Sequence, residues 1–420
     1  MLEKIQFEKI FLFALCGMFV AFGINIGAYT FLYSSGVLGA GLLVREYVRG
    51  NITVSWKFFV PIVFFAYVAI TPGHFFKDLP IAGMFSAAFF AGAAGCYFFK
   101  DKMPSILFLL PLALSAHFLA RVVASLAFDY PLIETTGYVG SLVLSYSHHN
   151  VVGVLASFGI FSLICFPHPQ QSVRRIGYVL MAILGIIILL TVGRSTYLGL
   201  AAALGLLALL RSWKLAVGGM VVAIVLGAMA LPFMAPDAQK RITGMIIAPH
   251  KEPNFQTRLP TWAIGIAGFK ESPLLGNGLR TFKSYSRSIL DKHYVEMKKD
   301  NPSTLNVAFS HPHNSYIAIL YGWGITGFFF FLLIFALSIL NSKKETKIFL
   351  LYCTSFMLAF GLFDVRFLSR DGALFFFFPI AMALINSNIN ATSLLKTRTT
   401  NFIYSRDNLH PKAVKLSHNP

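Results

Sequence analysis

Apolar residues fill most of the chain in runs long enough to cross a lipid bilayer, about 20 residues per helical crossing, and short polar breaks separate them. The alternation predicts spans near 9–24, 26–44, 58–73, 79–99, 104–126, 149–167, 175–193, 195–211, 214–233, 314–340, 346–364 and 371–387. Between Gly23 and Ser35 the break is weak, so the first two spans are the least sharply divided. The expected fold class is an all-α polytopic membrane protein with about 12 transmembrane helices. Residues 1–233 carry the first nine helices, 234–313 one large polar loop containing short helices, 314–387 the last three helices, and 388–420 a basic tail. An even number of spans returns both termini to one side.

Basic residues identify that side, because short loops rich in Lys and Arg stay in the cytoplasm. Lys4, Lys9, Arg45, Arg49, Lys57, Lys100, Lys102, Arg174, Arg175, Arg211, Lys214, Lys343, Lys344 and Lys347 share one face, and the tail adds Lys396, Arg398, Arg406, Lys412 and Lys415. The large loop lies on the opposite, outer face. Hydrophobic residues make up 56% and charged residues 12% of the chain, and Phe occurs 43 times, which excludes an ordinary soluble enzyme. The net charge of +18 needs no nucleic acid. Much of it is topogenic and can contact the anionic headgroups of membrane lipids. Cys16, Cys96, Cys165 and Cys353 lie in apolar runs without metal-ligand spacing, so packing is expected rather than a disulfide framework or zinc site. Met1 to Lys9 leads straight into an apolar run, and the first span is expected to serve as its own targeting signal.

Within the outer loop, Pro260 to Lys270 predicts a helix with Trp262, Ile266 and Phe269 on one apolar side and Pro260 in the first turn. This helix is expected to lie along the membrane surface and shield whatever Arg258 faces. Tyr285 to Lys299 predicts a solvated, charged helix. Gly276 and Gly278 flank Asn277 in a turn that needs backbone freedom, and a GxG by itself says little about phosphate.

Charges that break the topological pattern are candidates for chemistry, since ionised groups at membrane depth are costly. Arg194 stands between two apolar runs with no acid in its loop, as expected of a residue facing a ligand. Arg121 either snorkels to the interface, pairs with Asp129 or serves the site. Arg366 and Arg370 have Asp364 and Asp371 beside them, which suggests local ion pairs. His311 and His313 precede the span that begins at Asn314. Interfacial packing or capping accounts for a histidine there. The positive end of the helix dipole also disfavours imidazolium and attracts anions, so a neutral imidazole could accept a hydroxyl proton beside a bound diphosphate.

The GRS that holds Arg194, the R-x-x-x-W from Arg258 to Trp262, the LGNG turn, and the HxHN from His311 to Asn314 followed by YIAILYGWGITG together resemble the O-antigen ligase and polymerase superfamily. The resemblance covers about Thr191 to Phe330 by motif and the remainder by span number. It implies an integral-membrane glycosyltransferase, GT-C-like, in the bacterial inner membrane, with its active site facing the periplasm. Such an enzyme moves a glycan from an undecaprenyl-diphosphate carrier to a sugar hydroxyl of lipid A-core, with inversion, no metal and no cofactor. By motif match His313 is the candidate base, and Arg194 and Arg258 are the candidate diphosphate-binding arginines. His311, Asn314, Trp262 and Arg121 are candidates for acceptor contact or support. No DxD or close acidic cluster that could clamp a metal stands beside these residues.

Within the ligase reading, the nearest competitor is an O-antigen polymerase using the same donor. Polymerases of this group often split their outer polar sequence between two large loops, whereas one loop dominates here. A protein O-glycan transferase usually carries further outer sequence. A lipid or solute transporter would be expected to show internal repeats or paired broken helices, which the chain lacks.

Overall fold

The computed structural model describes residues 2–71, 77–128, 134–136, 139–142, 144, 146, 148–191, 193–211, 253–289, 309–365 and 368–388, with a few isolated positions between 213 and 239. Its long elements are helices: α1 (Leu2–Ile24), α2 (Ala28–Val48), α3 (Trp56–Ala69), α4 (Leu79–Phe98), α5 (Met103–Phe128), α6 (His149–Cys165), α7 (Gln171–Thr191), α8 (Arg194–Arg211), α9 (Pro253–Glu271), α10 (Ser315–Asn341), α11 (Lys344–Phe360) and α12 (Arg370–Asn388). A two-stranded antiparallel hairpin, β1 (Glu134–Thr136) and β2 (Val139–Ser141), pairs Glu134 with Ser141.

Helices α1 to α8 lie over the first eight predicted spans and α10 to α12 over the last three, while most of 214–233 and the tail beyond Asn388 lie outside the described residues. Among the described residues, five stretches suffice by length and composition to cross a membrane: Gln6–Ile24, Leu79–Phe98, Lys100–Phe128, Gln171–Thr191 and Ser315–Asn341. Trp56–Ala69, His149–Cys165, Arg194–Leu210 and Thr346–Phe360 are apolar but shorter. The described residues are those of a polytopic membrane protein, helical apart from the one short hairpin.

Phenylalanine builds much of its core. Helix α12 is buried almost throughout Ala373 to Ile385, as a helix apolar on every side must be. Phe377 packs 4.4 Å from Phe85 of α4 and 5.1 Å from Phe65 of α3, centroid to centroid. Small residues let the backbones close in, and a Cβ on Gly92 of α4 would sit 2.6 Å from the Phe378 carbonyl oxygen.

Helix α10 is broken at Gly324, where φ is 62° and ψ is −166°. The LGNG turn splints the break. Asn277 and Gly278 donate their N–H groups to the carbonyls of Tyr321 and Gly322 at 2.8 Å, and Ile325 donates to Pro273 at 2.8 Å. Asp78 braces the same junction, accepting from Leu279 N–H at 2.7 Å, Arg280 N–H at 3.1 Å and Trp323 Nε1–H at 3.1 Å. The glycines of this turn thus serve close backbone packing.

Helix α9 differs from its predicted form. It starts at Pro253, so Pro260 stands inside it rather than in its first turn. Its buried face is formed by Thr261, Ile264, Gly265 and Gly268, while Ile266 is exposed. The reason is proximity: a Cβ on Gly268 would meet Tyr321 of α10 at 2.5 Å, and one on Gly265 would strike Ile317, so the small residues, with Ile264 rather than Ile266, define the contact. Of the predicted helix from Tyr285 to Lys299, helical residues run over 282–289 and the rest lies outside the described residues.

Candidate functional site

The turn before α10 is the centre of the site. Asn314 caps the helix, its Oδ1 accepting from Tyr316 N–H at 2.9 Å and Ile317 N–H at 3.0 Å, while its Nδ2 donates to the Leu362 carbonyl at 3.0 Å. Ser315 adds two bonds to the same loop, N–H to the Gly361 carbonyl at 2.8 Å and Oγ–H to the Asp364 carbonyl at 2.7 Å. The α11–α12 loop is thereby fastened to the start of α10.

His313 adopts φ 53°, a left-handed conformation uncommon outside glycine. This brings its ring over His311, with centroids 4.1 Å apart and planes at 62°. The Nδ1 of His311 accepts from His313 N–H at 3.4 Å, so a neutral His311 carries its proton on Nε2. Burial and the neighbouring His311 push the His313 pKa down to about 3; Arg258 and His148 act in the same direction, and Asp364 opposes them. At neutral pH the His313 imidazole is uncharged.

Two further elements close around these histidines. Arg258 on α9 lies with its guanidinium carbon 5.6 Å from the centre of the Phe363 ring, and the Trp262 ring centroid is 6.3 Å from the same phenyl group. The buried Thr261 hydroxyl joins α9 to the histidine turn through the Pro312 carbonyl, 3.1 Å away. From the other side comes the start of α6, where His148 caps the helix by accepting from Asn150 N–H at 3.1 Å. Asn150 Nδ2 donates to Asp364 Oδ2, and Asp364 Oδ1 accepts from Val365 N–H at 2.7 Å.

Arg194 opens α8 and is half-buried. The residue before it, Gly193, presses against Asn150: a Cβ there would lie 2.8 Å from Asn150 Oδ1 and 3.0 Å from Thr196 Oγ1. The starts of α6, α8 and α10 therefore meet around Asn150 and Asp364. Helix N-termini carry partial positive charge, which suits an anionic ligand.

The remaining candidates lie elsewhere or do other work. Arg121 is buried on α5, one turn beyond His117, whose Nδ1 is 3.3 Å from the Gly23 carbonyl of α1. Asp129, with which one of its three readings would pair it, is outside the described residues, as is Arg366. Arg370 reaches beyond its own loop, donating to Asn25 Oδ1 and lying 4.6 Å from the centre of the Tyr29 ring. Asp364, expected as a local ion-pair partner, is bonded to Asn150, and its charge acts on His313. Sequence inspection missed His148, Asn150 and Asp364 as a group. The HHN at 148–150, two histidines and an amide opening an apolar run, carried the same pattern as HxHN and was its one available signal.

Among the described residues no group of three or more His, Cys, Asp or Glu side chains is arranged to hold a metal ion. The four cysteines are all free thiols. Comparison with curated proteins finds no match. Residues 179–332 match the model of the O-Antigen ligase family. That stretch contains Arg194, Arg258, Trp262, His311, His313 and Asn314, and it ends before Asp364. Over that stretch the chain is similar to the O-antigen ligase family, and the histidine turn and both candidate arginines lie inside the match.

Proposed function

We propose that this protein is an O-antigen ligase, which transfers a glycan from undecaprenyl diphosphate to a sugar hydroxyl of lipid A-core, with inversion and without a metal. The observation that carries this reading is the convergence on the histidine turn, where the Thr261 hydroxyl fastens the helix of Arg258 to the Pro312 carbonyl and the Ser315 hydroxyl fastens the loop of Asp364 to the start of α10.

In the proposed reaction His313 takes the proton of the acceptor hydroxyl as that oxygen attacks the anomeric carbon. The bond from that carbon to the diphosphate oxygen breaks, and its electron pair leaves with the diphosphate. Arg194 and Arg258 hold the leaving group, the planar guanidinium fork suiting phosphate oxygens. Asp364 stabilises the imidazolium that forms. An imidazole with a pKa of about 3 is a weak base, but one of the charges that depresses it is Arg258. A bound diphosphate neutralises that charge and raises the base strength of His313 when the donor is in place. A positioned base contributes typically 10²–10⁴-fold in rate.

The reading includes twelve spans, a periplasmic site in the bacterial inner membrane and cytoplasmic termini, supported by the alternation of basic loops. Reporter fusions at Lys343 and Lys292 are expected to give opposite sidedness, and matching sidedness would defeat the topology. The activity itself is tested in a deletion strain through its lipopolysaccharide. Loss of all core-attached glycan with accumulation of carrier-linked polymer supports the ligase. Core bearing a single repeat assigns the protein as a polymerase, and an unchanged pattern removes both.

A further inference from the structure

Asn150 occupies a position that neither the family domain nor the reaction just described assigns, since it lies outside residues 179–332. It is the second residue of α6 and only 6% exposed. Its amide has two ends with different partners. The Nδ2 end donates to the buried Asp364 carboxylate, and this fixes the amide orientation because a carboxylate offers only acceptors. The Oδ1 end is turned to Gly193, in the direction of the fully buried Thr196 hydroxyl on the first turn of α8. Among the described residues no donor reaches Asn150 Oδ1 or Thr196 Oγ1.

The space at Gly193 is closed by these same groups. Any side chain there would enter the contacts that a Cβ makes with Asn150 Oδ1 at 2.8 Å, Thr196 Oγ1 at 3.0 Å and Thr191 Oγ1 at 3.4 Å. Thus the amide bridges the residue preceding Arg194 and the carboxylate of Asp364, in the loop fastened to the start of α10 beside the histidine turn. Asp364 is in turn held to α10 by the Ser315 hydroxyl. One buried side chain connects the arginine end of the site to the histidine end.

We propose that Asn150 is a positioning residue for glycan transfer, which aligns the Asp364 carboxylate with His313 and sets the spacing between His313 and the start of α8. This rests on the ligase reading above. Asn150 touches neither reacting atom; it acts through Asp364.

The test uses purified full-length protein, carrier-linked glycan and lipid A-core, with kcat and KM for the donor measured beside the melting temperature in detergent. Asn150→Ala is expected to lower kcat about 10–100-fold, since small displacements of groups at a reacting centre can cost up to about 10²-fold, while donor KM changes little. The Asn150→Ala, Asp364→Ala double variant is expected to transfer no more slowly than Asp364→Ala alone, since residues acting as a unit are not additive. Losses that multiply overturn the proposal, as does wild-type kcat in Asn150→Ala. Exchanging the pair, Asn150→Asp with Asp364→Asn, retains one donor and one acceptor between the same positions but moves the carboxylate away from His313. The exchange is expected to restore the melting temperature and not the transfer. Restored transfer reduces the bond to a structural one and overturns the positioning role. His313→Ala in the same assay separates the two ideas: retained turnover defeats the ligase mechanism, whereas an inactive His313→Ala with multiplying Asn150 and Asp364 losses defeats only the role of Asn150.

Discussion

The hydroxyl of Thr261 lies 3.1 Å from the carbonyl oxygen of Pro312, fastening the helix that carries Arg258 to the turn that carries His311 and His313. The same hydroxyl lies 2.7 Å from the carbonyl of Arg258, so one buried oxygen sets the arginine and the histidines in a common frame. Replacing Thr261 with Val retains the shape and deletes the bonds. Leaving the Pro312 carbonyl without its donor costs about 1–3 kcal/mol. Small displacements of catalytic groups can cost 10²-fold in rate, so transfer is expected to fall about 10–100-fold in Thr261→Val and to persist in Thr261→Ser. Wild-type rates in the Val variant would assign the alignment to the α9–α10 glycine contact instead.

The two arginines are distinguishable from ordinary surface cations by what lysine can replace. Lysine keeps the charge but lacks the planar fork, and at position 258 it also loses the stacking over Phe363. Arg194→Lys and Arg258→Lys are each expected to lose most transfer at normal expression. Near-normal turnover in both would count against diphosphate binding. Arg370, engaged with Asn25 and Tyr29, is expected to tolerate Lys better in the same assay.

Gly276 allows a separate test of the LGNG turn. Its φ is 76°, and a Cβ there would run into the backbone of Gly322 and Trp323. A non-glycine residue in the left-handed region costs roughly 1–2 kcal/mol, and the collision adds to it. Gly276→Ala is expected to lower the melting temperature and the yield of monodisperse protein. A stable Gly276→Ala that loses only donor binding would instead give the turn a phosphate role.

Hydropathy located α1 to α8 and α10 to α12 because the signal of an apolar run is local. It did not reveal the face that α9 buries: Thr261, Gly265 and Gly268 are small, and their importance comes from the backbone of α10, distant in sequence. The histidine turn and both arginines stood out as motifs or as charges out of place. Asp364 did not, since its neighbours Arg366, Arg370 and Asp371 made local pairing the simpler expectation. Its partner Asn150 stands 214 positions away, and only the folded chain joins them.

The pH dependence of transfer tests His313 most directly. Its folded pKa of about 3 lies below the usual value near 6.5, chiefly through burial. A depressed histidine pKa makes protonation unfavourable in the folded protein, so stability present above about pH 6.5 declines as pH falls toward 3, where the unfolded chain binds the proton first. The base itself stays neutral over most of that window. Hence kcat/KM for the donor, which reports the free enzyme, is expected to show no acid limb near 6.5. The acid limb of kcat is expected at higher pH, since the bound diphosphate offsets Arg258. Coincident limbs near 6.5 would contradict both the buried imidazole and its coupling to the donor. Substitution separates base from backbone: His313→Ala and His313→Gly are both expected to lose transfer by about 10²–10⁴-fold. At φ 53°, however, Gly is expected to melt higher than Ala. Transfer in EDTA is expected to match that in its absence, and loss restored by a divalent cation would defeat the metal-free mechanism. Retained turnover in both His313 variants would remove the residue as the base.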